Sequence, residues 1–89
     1  MIKKKMKIIN KLGLHARASS KLTQLACSFT SKIFLIKDEN KVNAKSIMEV
    51  LMLAAGKNTI IFVEAEGVDE KEAISSIQKL LLNYFGEGE

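Results

Sequence analysis

An α+β fold, a two-layer open-faced sandwich in which three helices cover one face of a four-stranded, mainly antiparallel sheet, is predicted by three features of the sequence. Short β-rich runs carry apolar residues in alternation or in brief blocks. Longer stretches carry them at helical spacing, and the two kinds follow one another in the order βαββαβα. With 89 residues the chain is long enough for one core and too short for two, so 1–89 is expected to be a single domain.

In residues 2–9, Met6 and Ile8 alternate with lysines, the pattern of a half-buried strand, which Asn10 and Gly13 end. Across 16–29, Ala18, Leu22, Leu25, Ala26 and Phe29 recur at helical spacing while Ser20, Lys21 and Gln24 face elsewhere, an amphipathic helix. Ile33, Phe34, Leu35 and Ile36 form a strand within 32–37; Asp38, Glu39 and Asn40 turn the chain, and 41–43 return as a hairpin. Ser46 followed by Glu49 fits a capping box opening a second helix of about two turns, with Gly56 as its C-terminal breaker. Ile60, Ile61, Phe62 and Val63 make a strand across 59–66 that Gly67 ends. Asp69 with Glu72 caps a third helix whose core stripe is Ala73, Ile74, Ile77, Leu80, Leu81, Tyr84 and Phe85. The tail 86–89 has nothing apolar to bury and is expected to fray.

Apolar residues at 47% and charged residues at 27% place the chain among ordinary globular sequences, away from disordered ones. No run is apolar enough to span a bilayer, and the basic start, 1–7, is not followed by a stretch of secretory length, so no membrane insertion and a cytoplasmic location are expected. Cys27 is the only cysteine, which excludes an intrachain disulfide and zinc sites built on paired cysteines; within a helical pattern it reads as a small buried hydrophobe. No metal and no cofactor are expected. The formal charge of +4 comes from scattered lysines with few aromatics and no stacking pattern, so nucleic acid is not the expected partner; an acidic protein suits that charge equally well.

His15 is the only histidine, and it lies between a glycine-containing turn and the first residues of a helix, Ala16 and Arg17. Histidine offers a neutral nitrogen lone pair near neutral pH and can attack phosphorus. The dianionic group it would then carry meets, at a helix start, backbone N–H groups of Ala16 and Arg17 that have no intrahelical partner, and the positive end of the helix dipole. Arg17 can add a charge-assisted hydrogen bond to a phosphoryl oxygen. Plainer readings exist: a lone histidine before a helix is commonly a polar turn residue, a nearby arginine is commonly solvated, and Ser46 is explained by N-capping alone.

The second helix is more telling. At 100° per residue, Val50, Leu53 and Ala54 share one side while Ile47, Met48, Leu51, Met52 and Ala55 share the other, and Glu49 alone interrupts the apolar circumference. So short a surface helix cannot bury both sides. One apolar face is therefore expected to stay exposed, its methionines suited to several partners.

Gly13-Leu14-His15-Ala16-Arg17, followed about thirty residues later by Asn43-Ala44-Lys45-Ser46-Ile47-Met48, resembles the HPr family of the bacterial phosphoenolpyruvate-dependent phosphotransferase system, over nearly the whole chain. The resemblance implies a phosphocarrier rather than an enzyme. His15 would be phosphorylated on Nδ1 (the pros nitrogen) by phospho-enzyme I and pass the group to a histidine of an enzyme IIA, assisted by Arg17. Ser46 would match the serine that an HPr kinase/phosphorylase modifies in some relatives. Leu14, Ser20, Lys21, Gln24, Ile47, Met48, Leu51 and Met52 would match the docking face, and a carrier docking two partners through one face suits a monomer. One departure stands out: the family's usual proline after the arginine is replaced by Ala18, which lacks proline's fixed φ.

Two other readings remain open at this level. One is a carrier of a regulatory branch, similar to the nitrogen-related paralogue and without a sugar-transport role. The other is a small binding module with no chemistry. Autonomous catalysis is the weakest, since no second histidine pairs with His15 and no glycine-rich nucleotide loop occurs.

Overall fold

A computed structural model gives the structure of residues 1–86. The elements follow the expected order: β1 (Ile2–Lys7), α1 (Ala16–Cys27), β2 (Lys32–Lys37), β3 (Asn40–Asn43), α2 (Ile47–Met52), β4 (Ile60–Glu66) and α3 (Glu70–Leu82), then a 3-10 turn, Tyr84–Gly86. The four strands lie in the order β1-β4-β2-β3, and all three pairings are antiparallel.

Strand alternation sorts the sheet into two faces. Met6, Ile33, Leu35, Ile61, Val63 and Ala65 point to the helices and are buried with Ala18, Leu22 and Ala26 of α1, Val50 of α2 and Ala73, Ile77 and Leu81 of α3, one continuous core. The opposite face carries Lys3, Lys5, Ile60 and Phe62 to solvent.

Several boundaries differ from expectation. The first strand stops at Lys7, although Ile8 keeps backbone bonds to Asn58 and Thr59; α1 ends at Cys27, short of Phe29. The hairpin turn is the two residues Asp38 and Glu39, with Asp38 at φ 55°, so Asn40 already pairs with Lys37. Gly56 does not close α2. Leu53 is its C-cap and Ala54, at φ 53°, takes the left-handed position in its place, while the Lys37 ammonium donates to the carbonyls of Leu53 and Ala54.

Side-chain placements are corrected at three points. Cys27 is exposed, its Sγ 3.7 Å from the Lys45 carbonyl oxygen, because the helical pattern places it on the outer stripe of α1. Tyr84 is exposed and Leu80 only half-buried. The chain leaves the helix after Leu82, and left-handed Tyr84 and Phe85 turn Phe85 alone into the core. Asp69 sits at the N-cap of α3 but makes no capping bond there; its carboxylate accepts from the backbone N–H groups of Thr30 and Ser31, at 2.9 Å each, and from the Ser31 hydroxyl. Of the tail expected to fray, Gly86 belongs to the terminal turn, its N–H donating to Asn83 O, and the remainder lies outside the described residues.

Candidate functional site

The segment from Asn10 to Leu14 is held in place from three sides. Asn10 Nδ2 donates to Gly13 O at 2.8 Å, and Gly13 N donates back to Asn10 O at 3.2 Å, so the turn is closed by the residue that also ends the strand region. The buried Ser19 hydroxyl, one turn into α1, donates to Leu14 O at 3.0 Å. Leu14 N donates to Ala55 O at 2.8 Å, just beyond α2. Gly13 is required here by conformation and by space: at φ +66° its missing Cβ would come within 2.6 Å of Ala55 O and of Gly56 Cα.

That anchored turn delivers His15 as the N-cap of α1, with extended backbone (φ −76°, ψ −179°) and no capping bond from its side chain. The residue is half-buried, neither packed into the core nor fully free in solvent. Its own carbonyl accepts Ser19 N at 2.8 Å, so the helix starts with the following residue, and helix geometry leaves the N–H groups of Ala16, Arg17 and Ala18 outside the intrahelical ladder. No acidic residue lies in the first turn of α1, so nothing in that turn offsets the positive end of its dipole. Arg17 is exposed at that end, while Ala18, which stands where the resemblance leads one to look for proline, is buried in the core.

α1 and α2 pack on each other in opposite directions. The His15 end of α1 meets the exit of α2 through Leu14 and Ala55, and the far end meets the entry of α2 through Cys27 and Lys45. On α2 the structure exposes Met48 (66%) and Met52 (78%) fully and Ile47 partly, with Leu51 half-buried; Val50 and Leu53 are core. The two alanines exchange their expected places, Ala55 being buried and Ala54 exposed, because the left-handed turn at Ala54 breaks the helical phase. On α1, Arg17, Ser20 and Gln24 follow one helical stripe, and Gln24 Nε2 donates to Ser20 Oγ at 3.4 Å. The half-buried Lys21 has its ammonium 2.7 Å from Phe85 O. Leu14, expected on the docking face, is instead a core residue at 5% exposure, its side chain turned inward beneath the histidine.

Ser46 is the N-cap of α2, and its hydroxyl accepts Glu49 N at 3.4 Å. The expected box is only half closed, for Glu49 Oε1 reaches instead to the N–H of Asn43, at 3.0 Å. Ser46 thus stands near the end of α1 remote from His15, beside Lys45, whose carbonyl faces Cys27.

Three contributors went unassigned in the sequence: Ser19, which grips the Leu14 carbonyl; Ala55, which grips its N–H; and exposed Leu12, beside Gly13. An Asn-x-x-Gly spacing signals the turn itself, but the contact with Ala55 is made across some forty residues and has no local signature. Among the described residues no group of three or more His, Cys, Asp or Glu could hold a metal ion, and no helix is long and apolar enough to cross a membrane.

This fold, with an anchored turn presenting a histidine at the start of a helix, is shared with a class of small phosphocarriers. The family model for the HPr component phosphorylation site of the phosphotransferase system matches residues 2–83. The chain is 53% identical over 89 residues to the phosphocarrier protein HPr of Neisseria meningitidis, covering all of both chains. A crystal structure of HPr from Thermoanaerobacter tengcongensis superposes with a TM-score of 0.95 at 42% identity, over 98% of each chain. A structure of an HPr dimer from the same organism gives 0.76 at 44% identity, over 92% of this chain and 94% of that one. The chain belongs to the HPr family of phosphotransferase-system phosphocarriers.

Proposed function

We propose that His15 is the phosphoryl acceptor, that it takes the group on Nδ1 from phospho-enzyme I, and that it hands it to a histidine of an enzyme IIA. In each transfer an imidazole nitrogen attacks phosphorus, the new P–N bond forms as the donor's bond to phosphorus breaks, and the donor keeps that electron pair. The observation that carries this reading is His15 standing at the α1 N-terminus, where the first N–H groups and a dipole end with no acidic residue in its first turn can receive a dianion. That stabilisation, roughly 0.3–2 kcal/mol, is small enough for the group to leave again. Arg17 supplies a charge for the moment when the phosphoryl group lies between two proteins.

Docking falls to the exposed stripe of α1 with Ile47, Met48 and Met52 of α2, and half-buried Leu51 between them. Ser46, at the rim of that face and near the end of α1 remote from His15, is the proposed substrate of an HPr kinase/phosphorylase. A phosphate there would charge the docking rim without touching the histidine, and at a helix start it stabilises the fold. The carrier works in the cytoplasm as one domain, spanning 1–89, and as a monomer, because a copy seated on α1 and α2 would occlude the face that partners need. The reading is tested by intact mass after incubation with phosphoenolpyruvate and enzyme I. The parent should gain one acid-labile phosphoryl group and His15→Ala none; label persisting in His15→Ala overturns the assignment.

A further inference from the structure

We propose that the open face of the sheet, away from the helices, binds a short single-stranded nucleic acid. The pairing register sets out two rows of outward side chains across the strands: Lys5, Phe62, Ile36 and Lys41 in one, and Lys3, Glu64, Phe34 and Asn43 in the next. Phe34 and Phe62 are therefore diagonal neighbours on the two central strands. Sequence distance had hidden that juxtaposition, and with it the stacking pattern whose absence argued against nucleic acid.

Phe62 is 38% exposed and Phe34 half-buried, and each ring carries a lysine ammonium over one face. The Lys3 ammonium stands over the Phe62 ring, 5.2 Å from its centroid, and the Lys41 ammonium over the Phe34 ring at 4.6 Å. What covers those ring faces is a long, flexible lysine side chain rather than the packed core, and a nucleobase could take the place of each ammonium, freeing the lysine for a phosphate.

Charge points the same way. Lys3, Lys5 and Lys7 project from the edge strand β1 at intervals of roughly 6.6 Å, two residues of strand rise, a row that can follow an extended phosphodiester backbone. Lys32 and Lys41 add to it. Glu64 and Glu66 oppose it, but Glu64 is largely buried and paired with Lys41 at 2.7 Å. A second copy of the chain would bring the same positive excess and be repelled. Two partly covered rings set among lysines offer little apolar surface to a lipid interior, and an acidic peptide would use the lysines without the rings. The face is also distinct from α1 and α2, so binding here would leave phosphoryl transfer free.

The test is fluorescence anisotropy of a labelled oligothymidylate about eight nucleotides long, with the full chain as titrant. Binding should weaken about 20-fold for a fourfold rise in salt if three phosphates are neutralised. Phe34→Leu and Phe62→Leu, which keep the apolar contacts, should each weaken it about tenfold, and Lys5→Gln should flatten the salt dependence. Acceptance of phosphate at His15 by each variant confirms that it is folded. Absence of oligothymidylate binding overturns the proposal. So does binding unchanged in both leucine variants, or competition by inorganic polyphosphate or phosphatidylglycerol vesicles equal to that by the oligonucleotide, since either would mean charge without stacking.

Discussion

Leu14 N donates to Ala55 O across 2.8 Å, and this one bond couples the turn that presents His15 to the segment just past α2. Gly13 lies against the same place, with no room for a methyl group between it and the backbone of Ala55 and Gly56. The histidine and the surface proposed to dock partners therefore share a backbone support.

Gly13→Ala is expected to damage both at once. The left-handed φ alone costs about 1–2 kcal/mol for a residue with a Cβ, and the contact with Ala55 O adds to it by forcing the two segments apart. Urea unfolding should show at least that loss, and phosphoryl acceptance from enzyme I should slow even where the variant is fully folded. Gly56→Ala serves as the comparison: its added methyl meets nothing within 4 Å, so stability and transfer should stay close to the parent's.

Ser46 separates two effects that a phosphate would combine. Ser46→Ala loses the bond to Glu49 N and should lower stability by about 1 kcal/mol, with little change in affinity for enzyme I. Ser46→Asp keeps an N-cap acceptor and the favourable helix end, so its stability should match the parent's while enzyme I binds more weakly. Calorimetric titration beside thermal unfolding distinguishes the two; equal binding by Ser46→Asp and the parent would remove the docking account.

The order of elements, the sheet-and-helix layering and the N-terminal position of His15 were legible because each is written in local periodicity or in a neighbouring turn residue. Phases that depend on distant contacts were not. Tyr84 fits the apolar stripe of α3 yet is exposed, because the left-handed turn there ends the helical phase, whereas the exposure of Cys27 was legible, since it shares the outer stripe of α1 with Arg17, Ser20 and Gln24. Gly56 looked like the natural helix stop, but Lys37, reaching from β2 to the Leu53 and Ala54 carbonyls, goes with a stop two residues earlier on an alanine. In the site, the family motif marks His15 and Arg17 without showing that Ser19 and Ala55 hold the turn, since both act through backbone groups of Leu14.

Arg17→Ala should leave the fold intact and slow the chemistry. The side chain is exposed, so its removal should shift stability by no more than about 0.5 kcal/mol. Loss of a charge aimed at the transferring group should cost roughly 100-fold in rate. Rapid-quench kinetics with phospho-enzyme I measures this. A variant that transfers at the parent's rate would return Arg17 to an ordinary solvated position, whereas Arg17→Lys, which keeps a charge but not the planar fork, should fall between the two.

Asp69 gives the fold a signature in acid. The Ser31 hydroxyl, then the Thr30 N–H, then the Ser31 N–H stabilise its carboxylate and hold its pKa down to about 2, against partial desolvation that pushes it the other way. In the unfolded chain an aspartate titrates near 3.9, so between those two values the unfolded state binds the extra proton and the folded state does not. The contribution is accordingly complete above about pH 4 and is lost as the pH falls through about 2. It ties the loop after α1 to the start of α3, two segments joined here by no strand pairing. Asp69→Asn should lower stability at neutral pH and flatten the dependence between pH 4 and 2, as read by urea midpoints across that range; a variant whose midpoints fall with acid as steeply as the parent's would assign the acid sensitivity to other carboxylates. Ser31→Ala, which removes the largest single cause, should move the transition toward higher pH while leaving its direction unchanged.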